Sequence, residues 1–186
     1  MTRFAFVFFL AFLASTLAAA AQVAETADTR TFTITTGGMA SGFKPGAGSN
    51  HVIGPGTFAD LHFRHWFQLE AEARWLRFDQ GSGDHQDHYL IGPKVPLHRF
   101  GRAHLYGKAL IGFANMTFHG LSTPEGIVDG HGTFTALAFG GGMDYQLSRK
   151  LTLRAVDFEY QDWPKFLPGM SIQPYGISVG MAYRVF

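Results

Sequence analysis

FQLEAEARWLRFD, residues 67–79, is the stretch whose reading decides the fold. Phe67, Leu69, Ala71, Ala73 and Trp75 alternate with Gln68, Glu70, Glu72 and Arg74. A strand sends successive side chains to opposite faces, so the segment has one apolar and one charged face. Its content of Ala, Leu, Glu and Arg favours a helix on propensity alone. Periodicity argues the other way. At about 100° per residue, Phe67, Ala71, Trp75 and Phe78 cluster, but Leu69, Ala73 and Leu76 fall on the far side. The strand reading has no such conflict until Leu76 and Phe78. Two glutamates and an arginine in one row then face either bulk water or a closed polar interior in which charges pair.

The start of the chain sets the compartment. Arg3 precedes a wholly apolar run over residues 4–14, then Ser15, Thr16, Leu17 and four alanines, 18–21. A positive start, an apolar centre and a small-residue ending predict a secretory signal cut after Ala21. The alternative is a retained membrane helix. Residues 4–21 are short for a span that needs about 20 residues, and no positive charge follows them. With no cysteine in the chain, a lipid anchor on the new N-terminus is ruled out. Residues 22–29 read as a short polar lead-in, and residues 30–186 as one domain. The whole chain carries a formal charge of +1, and loss of the leader brings it to about zero. That gives no basic imbalance for a nucleic-acid partner. An exported chain without disulfides needs another device to hold it, such as a large core or a closed hydrogen-bond ladder. Aromatics at 15% and 23 glycines suit strands and tight turns.

The same alternation recurs along the chain. Strands are predicted over residues 30–43, 52–63, 67–79, 88–97, 103–116, 133–146, 151–161 and 173–185. In the seventh, Leu151 and Leu153 are out of phase with Val156, Phe158 and Tyr160, and a bulge near Ala155 restores the phase. The connections alternate long and short. Long ones fall at 44–51, 80–87, 118–132 and 162–171, short ones at 64–66, 98–102 and 147–150. This is the pattern of an up-and-down meander with tight turns at one end. Eight antiparallel strands close into a barrel whose interior is just filled by side chains.

A soluble barrel keeps its apolar face inside; a membrane barrel turns it to lipid. Small and aliphatic residues (Ala71, Ala73, Ala109, Ile111) occupy mid-strand apolar positions. Phe63, Phe67, Trp75, Tyr89, Phe113, Tyr145, Tyr160, Tyr175 and Tyr183 sit near strand ends, as in two interfacial girdles. The opposite face carries Gln68, Glu70, Glu72, Arg74, Lys94, Lys108, Asp144, Arg154, Asp157, Glu159 and Arg184. Five of these are basic and five acidic, so a packed lumen of paired charges close to neutrality is expected. Unpaired, each would cost several kcal/mol.

The last strand, YGISVGMAYRVF (residues 175–186), resembles the C-terminal signal by which outer-membrane barrels are recognised by their assembly machinery. Phe186 falls on the polar phase there. LRAVDFEYQDWP (residues 153–164) looks like the seventh strand of such barrels. Over residues 30–186 the chain resembles the small outer-membrane β-barrel family, the class of OmpA-like transmembrane domains and OmpX. The resemblance implies an eight-stranded transmembrane barrel in the outer membrane of a Gram-negative-type bacterium. It also implies contact with outer-membrane lipids, a periplasmic lead-in over residues 22–29 and assembly through the last strand. It implies no single activity.

Chemistry-bearing groups are sparse outside the charged face. Asp84, His85, Asp87 and His88 are metal-ligand types in one Gly-flanked loop, but they lack a tight ligand spacing and read as a solvated surface. His119, Ser122, Asp129 and His131 could supply a lipid-acting hydrolase or acyltransferase, yet form no compact motif. His104, Tyr106 and Lys108 share a face that could line a path; eight strands leave room for filling side chains rather than a wide channel. Gly140–Gly142 lacks the helix and the Gly-Lys-Ser/Thr ending of a phosphate loop. The expectation is therefore a monomeric, non-enzymatic surface barrel without cofactor or metal. Its lumen is plugged by ion pairs and its functions lie in its loops. A narrow pore or small-ligand barrel is the alternative.

Overall fold

The computed structural model describes residues 32–46, 51–63, 67–79, 83–123, 126–167 and 170–185. The expected signal sequence (1–21), the lead-in (22–29), the turn at 64–66 and Phe186 lie outside these residues, as do residues 47–50 and 80–82 of the expected long loops. Ten β-segments follow in order: β1 (Phe32–Lys44), β2 (Val52–Phe63), β3 (Phe67–Leu76), β4 (Phe78–Asp79), β5 (His85–Phe100), β6 (Ala103–Thr123), β7 (Gly126–Gln146), β8 (Leu151–Leu167), β9 (Met170–Ile172) and β10 (Tyr175–Arg184).

All neighbours pair antiparallel, and β1 pairs with both β2 and β10, so the sheet closes on itself. Eight segments are the staves of a barrel. β4 continues β3 beyond Arg77: Gly56 faces Arg74 and Ile53 faces Phe78, so one extra residue bulges out on the β3–β4 side. β9 folds back on β8 alone. Closure gives each of the eight staves a partner on both sides within the barrel wall, which any strand crossing hydrocarbon requires. The phase slip in β8 is also a bulge: Met143 faces Val156 and Asp144 faces Arg154, leaving Ala155 as the extra residue.

Exposure fixes which face is which. Ile91, Ile111, Phe139 and Ile177 are 49%, 54%, 55% and 56% exposed, whereas Glu70, Arg74, Arg154 and Glu159 are fully buried. The apolar row of residues 67–79 therefore points outward and the charged row inward. Trp75 donates its indole N–H to Tyr89 Oη at 3.1 Å, joining two neighbours in the aromatic belt near the long-loop end.

The hairpins run farther than alternation predicts. Pairing between β6 and β7 continues through Phe118↔Gly130 to Thr123↔Gly126, so most of the expected loop at 118–132 is strand. The expected loops at 80–87 and 162–171 likewise give way to strand at His85 and up to Leu167. A membrane crossing needs about 9–11 residues per strand, and β6 and β7 have 21 each. Beyond that length the ladder persists where the sequence no longer alternates.

Large inward side chains are matched to bare backbone across the ladder. Tyr106 lies directly opposite Gly142, and a Cβ at 142 would stand 2.6 Å from Tyr106 Oη. Such a Cβ would meet the Val156 carbonyl oxygen before the Tyr106 ring, so Gly142→Val should displace the neighbouring backbone as well as the ring and cost about 1–3 kcal/mol or more as an overpacking substitution. Urea unfolding of the barrel in lipid vesicles, followed by tryptophan fluorescence, reads the change.

Candidate functional site

Because strands alternate and the barrel is closed, inward side chains from distant staves meet. They form three layers along the axis. The middle layer is ionic. Among the described residues it joins Arg74, Lys94, Lys108 and Arg154 to Asp60, Glu70, Glu72, Asp144, Asp157 and Glu159.

Arg74 from β3 grips Glu72 beside it on the strand and Glu159 of β8, at 3.0 Å from Nη1 and 3.2 Å from Nη2. Arg154 from β8 returns the contact, with Nη2 2.6 Å from Glu70 Oε2. Lys94 Nζ lies 3.1 Å from Asp60 Oδ2, 3.1 Å from Glu70 Oε2 and 3.0 Å from Asp144 Oδ2. Arg154 also covers the Phe58 ring at 3.6 Å, and Lys94 the Tyr106 ring at 4.0 Å, so the faces of the cations left bare by carboxylates meet π electrons.

Glu70, Glu72 and Asp157 bring carboxylate oxygens within 4.8 Å of one another, a set that could hold a metal ion. Lys108 Nζ stands among them, 3.2 Å from Glu70 Oε1, 3.0 Å from Glu72 Oε2 and 2.7 Å from Asp157 Oδ2. The ammonium group does there what a cation would do.

Above this layer, toward the long-loop end, the lumen turns apolar. Glu159 accepts from Gln161 Nε2 at 2.7 Å, and Gln161 Oε1 accepts the Trp163 indole N–H at 2.8 Å. This short relay carries the polar network up to a cluster in which Trp163 and Phe166 pack with Phe134, Phe118, Met116 and Ile172. His88, fully buried, lies edge-on to both Phe43 and Trp163 and pairs with Gln161 Nε2 at 3.1 Å. Below the ionic layer, toward the short turns, a cavity of about 910 Å³ is lined by Asp60, His62, Gln68, Lys94, His104, Tyr106 and Arg184, among others.

The polar residues singled out by alternation thus meet in one place, with two exceptions. Gln68 and Arg184 line the lower cavity and take no part in the ion pairs described. Asp60 joins the network instead, so six carboxylates stand against four cations. Within the ionic layer carboxylates outnumber cations by two; with Arg184 in the cavity below, the inward face carries six acidic groups against five basic ones, close to the balance expected. The signal for Asp60 was its phase with His62 on the inward row of β2.

The run of ligand-type residues at 84–88 is split by the pleat. His88 and Gln86 point inward, while Asp87 bonds Arg77 Nη2 outside at 2.5 Å, holding that guanidinium above its usual range. Asp84 Oδ1 accepts from the backbone N–H of His119 at 2.8 Å. His131 sits opposite Thr117 on the exposed hairpin. Ser122 pairs with Ile127, but its side chain is outside the described residues. The described histidines and acids of this region do not converge on one point.

The sequence matches the family described as "Outer membrane protein beta-barrel domain" over residues 9–184. No curated protein matches it. Three solved structures have similar chain paths. Neisserial surface protein A superposes with a TM-score of 0.59 at 11% identity, covering 82% of this chain and 96% of that one. The N-terminal barrel domain of Pseudomonas aeruginosa OprF gives 0.50 at 12%, covering 81% and 96%. Ail, the attachment invasion locus protein of Yersinia pestis, gives 0.49 at 15%, covering 82% and 97%.

Replacing Lys108 by Met leaves Glu70, Glu72, Asp157 and Glu159 around an apolar chain end. The barrel should lose about 3–5 kcal/mol, the usual cost of stranding a buried charge. Lys108→Met combined with Glu72→Gln should recover part of that loss. Urea midpoints of the two variants in lipid vesicles, compared with the parent, check both signs.

Proposed function

This chain belongs to the outer membrane protein β-barrel domain family and lies in the bacterial outer membrane, and on that premise we propose that it is a closed surface-display barrel whose activity resides in its extended hairpins. The observation that carries the reading is the double seal of the lumen. An ionic layer with fully buried side chains is followed by an aromatic one in which Trp163 has no exposed surface. Eight staves filled in this way serve as a rigid frame. The β6–β7 hairpin and the β8–β9 extension then stand clear of the membrane, where loops on a rigid scaffold carry recognition.

In this reading the hairpins face outside and the short turns face the periplasm. The apolar outer surface contacts outer-membrane lipid, the last strand engages the assembly machinery, and the barrel works as a monomer without cofactor. The name of Neisserial surface protein A is in keeping with such a placement. A lipid-acting enzyme has weaker support, because His119 is engaged with Asp84 and His131 lies on an exposed strand.

Planar-bilayer recording tests the reading. The refolded protein should insert, migrate faster on a detergent gel before boiling than after, and show no steady conductance. A stable open level would replace this reading with the narrow-pore alternative. His119→Ala and His131→Ala should each leave the membrane lipid profile unchanged; an altered profile would instead point to catalysis.

A further inference from the structure

The outer end of the wall has an edge that closure does not cover. β7 meets β8 only from Leu137, which faces Asp162. Past Asp162, β8 leaves the wall: Trp163 stacks against Phe134, and the strand pairs with β9. Among the described residues, β7 over 127–136 is thus laddered to β6 alone. Its inner face is covered by its own hairpin. A Cβ at Gly130 would stand 2.8 Å from the Phe118 ring, and one at Gly132 2.7 Å from the Phe134 ring, so both rings lie over bare backbone. The outer row holds Ile127, Asp129, His131 and Thr133, all exposed.

Natural sheets guard such an edge with lysine, proline or a bulge. Residues 127–136 contain neither lysine nor proline. The register slip in this hairpin sets residues 118–121 of β6 against 128–130 of β7, so the extra residue lies on β6 and the β7 side stays regular. The opposite edge of the hairpin, beyond Thr117 of β6, is blunted by that bulge and by Pro124 just after the strand. An edge of regular backbone invites a further strand, and the order of its side chains says which one. Laid antiparallel on a second copy about Gly130, residue 129 faces 131 and residue 127 faces 133. Asp129 of each copy then meets His131 of the other, twice across one junction. Directly opposite Cβ atoms stand about 5 Å apart. An imidazole N–H donates to a carboxylate whether or not the ring is charged. A parallel junction in register would instead set Asp129 on Asp129, with like charges facing.

We propose that the outer end of β7 is a homotypic docking edge, joining two copies of this chain through an antiparallel strand junction centred on Gly130. β7 runs from the hairpin tip toward its own membrane, so an antiparallel junction points the two barrels in opposite directions. The copies therefore sit in two apposed bilayers, and within each bilayer the barrel stays single. The inference rests on the reading of the hairpins as recognition elements standing clear of the membrane, and names their partner. One such junction is weak. Many of them between the same two membranes add, because each junction raises the effective concentration of the next.

The chain has no cysteine, so introduced cysteines test both levels in refolded protein. Two vesicle populations are made, one with Ile127→Cys and one with Thr133→Cys. A membrane-impermeant maleimide should label both without lysis; if it labels neither, the display reading falls and this inference with it. Once labelling is shown, unlabelled vesicles are mixed under mild oxidation. The mixture should give several-fold more disulfide-linked dimer than either population alone, because the junction sets 127 opposite 133 and about 20 Å from the other 127, too far to bridge. Vesicles of the parent protein should also cluster, read as a rise in light scattering. Asp129→Lys and His131→Glu should each bring scattering down to that of protein-free vesicles, and the two combined should restore it. Labelled protein with equal cross-linking in mixed and single populations overturns the proposal. So does parent protein that scatters no more than empty vesicles, or single swaps that scatter as the parent does.

Discussion

A charge sealed away from water must find an opposite charge within reach, and most of this barrel follows from that demand. Eight staves enclose a lumen too narrow for free water through its middle. Ten ionisable side chains nonetheless point into it. They are tolerable there because each carboxylate of the layer touches at least one cation, and each cation touches two or more carboxylates. Ion pairs of this kind add little net stability over a well-packed apolar core, since desolvation offsets much of the attraction. What they supply is register. A one-residue slip of any stave would carry its charges to the lipid face and bring its leucines and isoleucines into the lattice.

The outer surface answers to a different solvent. Ile91, Ile111 and Phe139 would be anomalies on a water-soluble protein at their observed exposures of 49%, 54% and 55%. Against hydrocarbon they are the required surface. The two faces of each strand are thus solved separately, one by pairing and one by apolarity, and the period-2 pattern is the trace of both.

That explains which parts of the molecule were legible in the sequence. Within the bilayer each residue is forced to one face or the other, so Glu70, Glu72 and Arg74 could be put on one face from FQLEAEARWLRFD alone, and that face turned inward from the pattern of the other strands. The bulge at Ala155 was legible for the same reason, because Leu153 and Val156 break phase around it. Outside the bilayer the constraint lapses. HGLSTPEGIVDGHG over residues 119–132 does not alternate, and its ladder pairing was invisible. The partners within the lumen were also beyond reach. Nothing local in the chain says that Arg74 meets Glu159, 85 residues away, or that Trp163 caps the ionic layer through Gln161. Asp60 was on the expected face but was left out of the balance.

The span of those contacts bears on how the molecule comes to be made. Arg154 reaches Asp60 across 94 positions and Glu70 across 84. A half-built sheet of β2, β3 and β5 holds Asp60, Glu70 and Glu72 against Arg74 and Lys94, with the partners on β6, β7 and β8 still missing. Such a fragment cannot enter hydrocarbon cheaply, whereas the finished cylinder can. Translocation of the polar row and closure of the seam between first and last strands are therefore coupled into one late, cooperative event. Intermediates should wait at the membrane surface rather than within it.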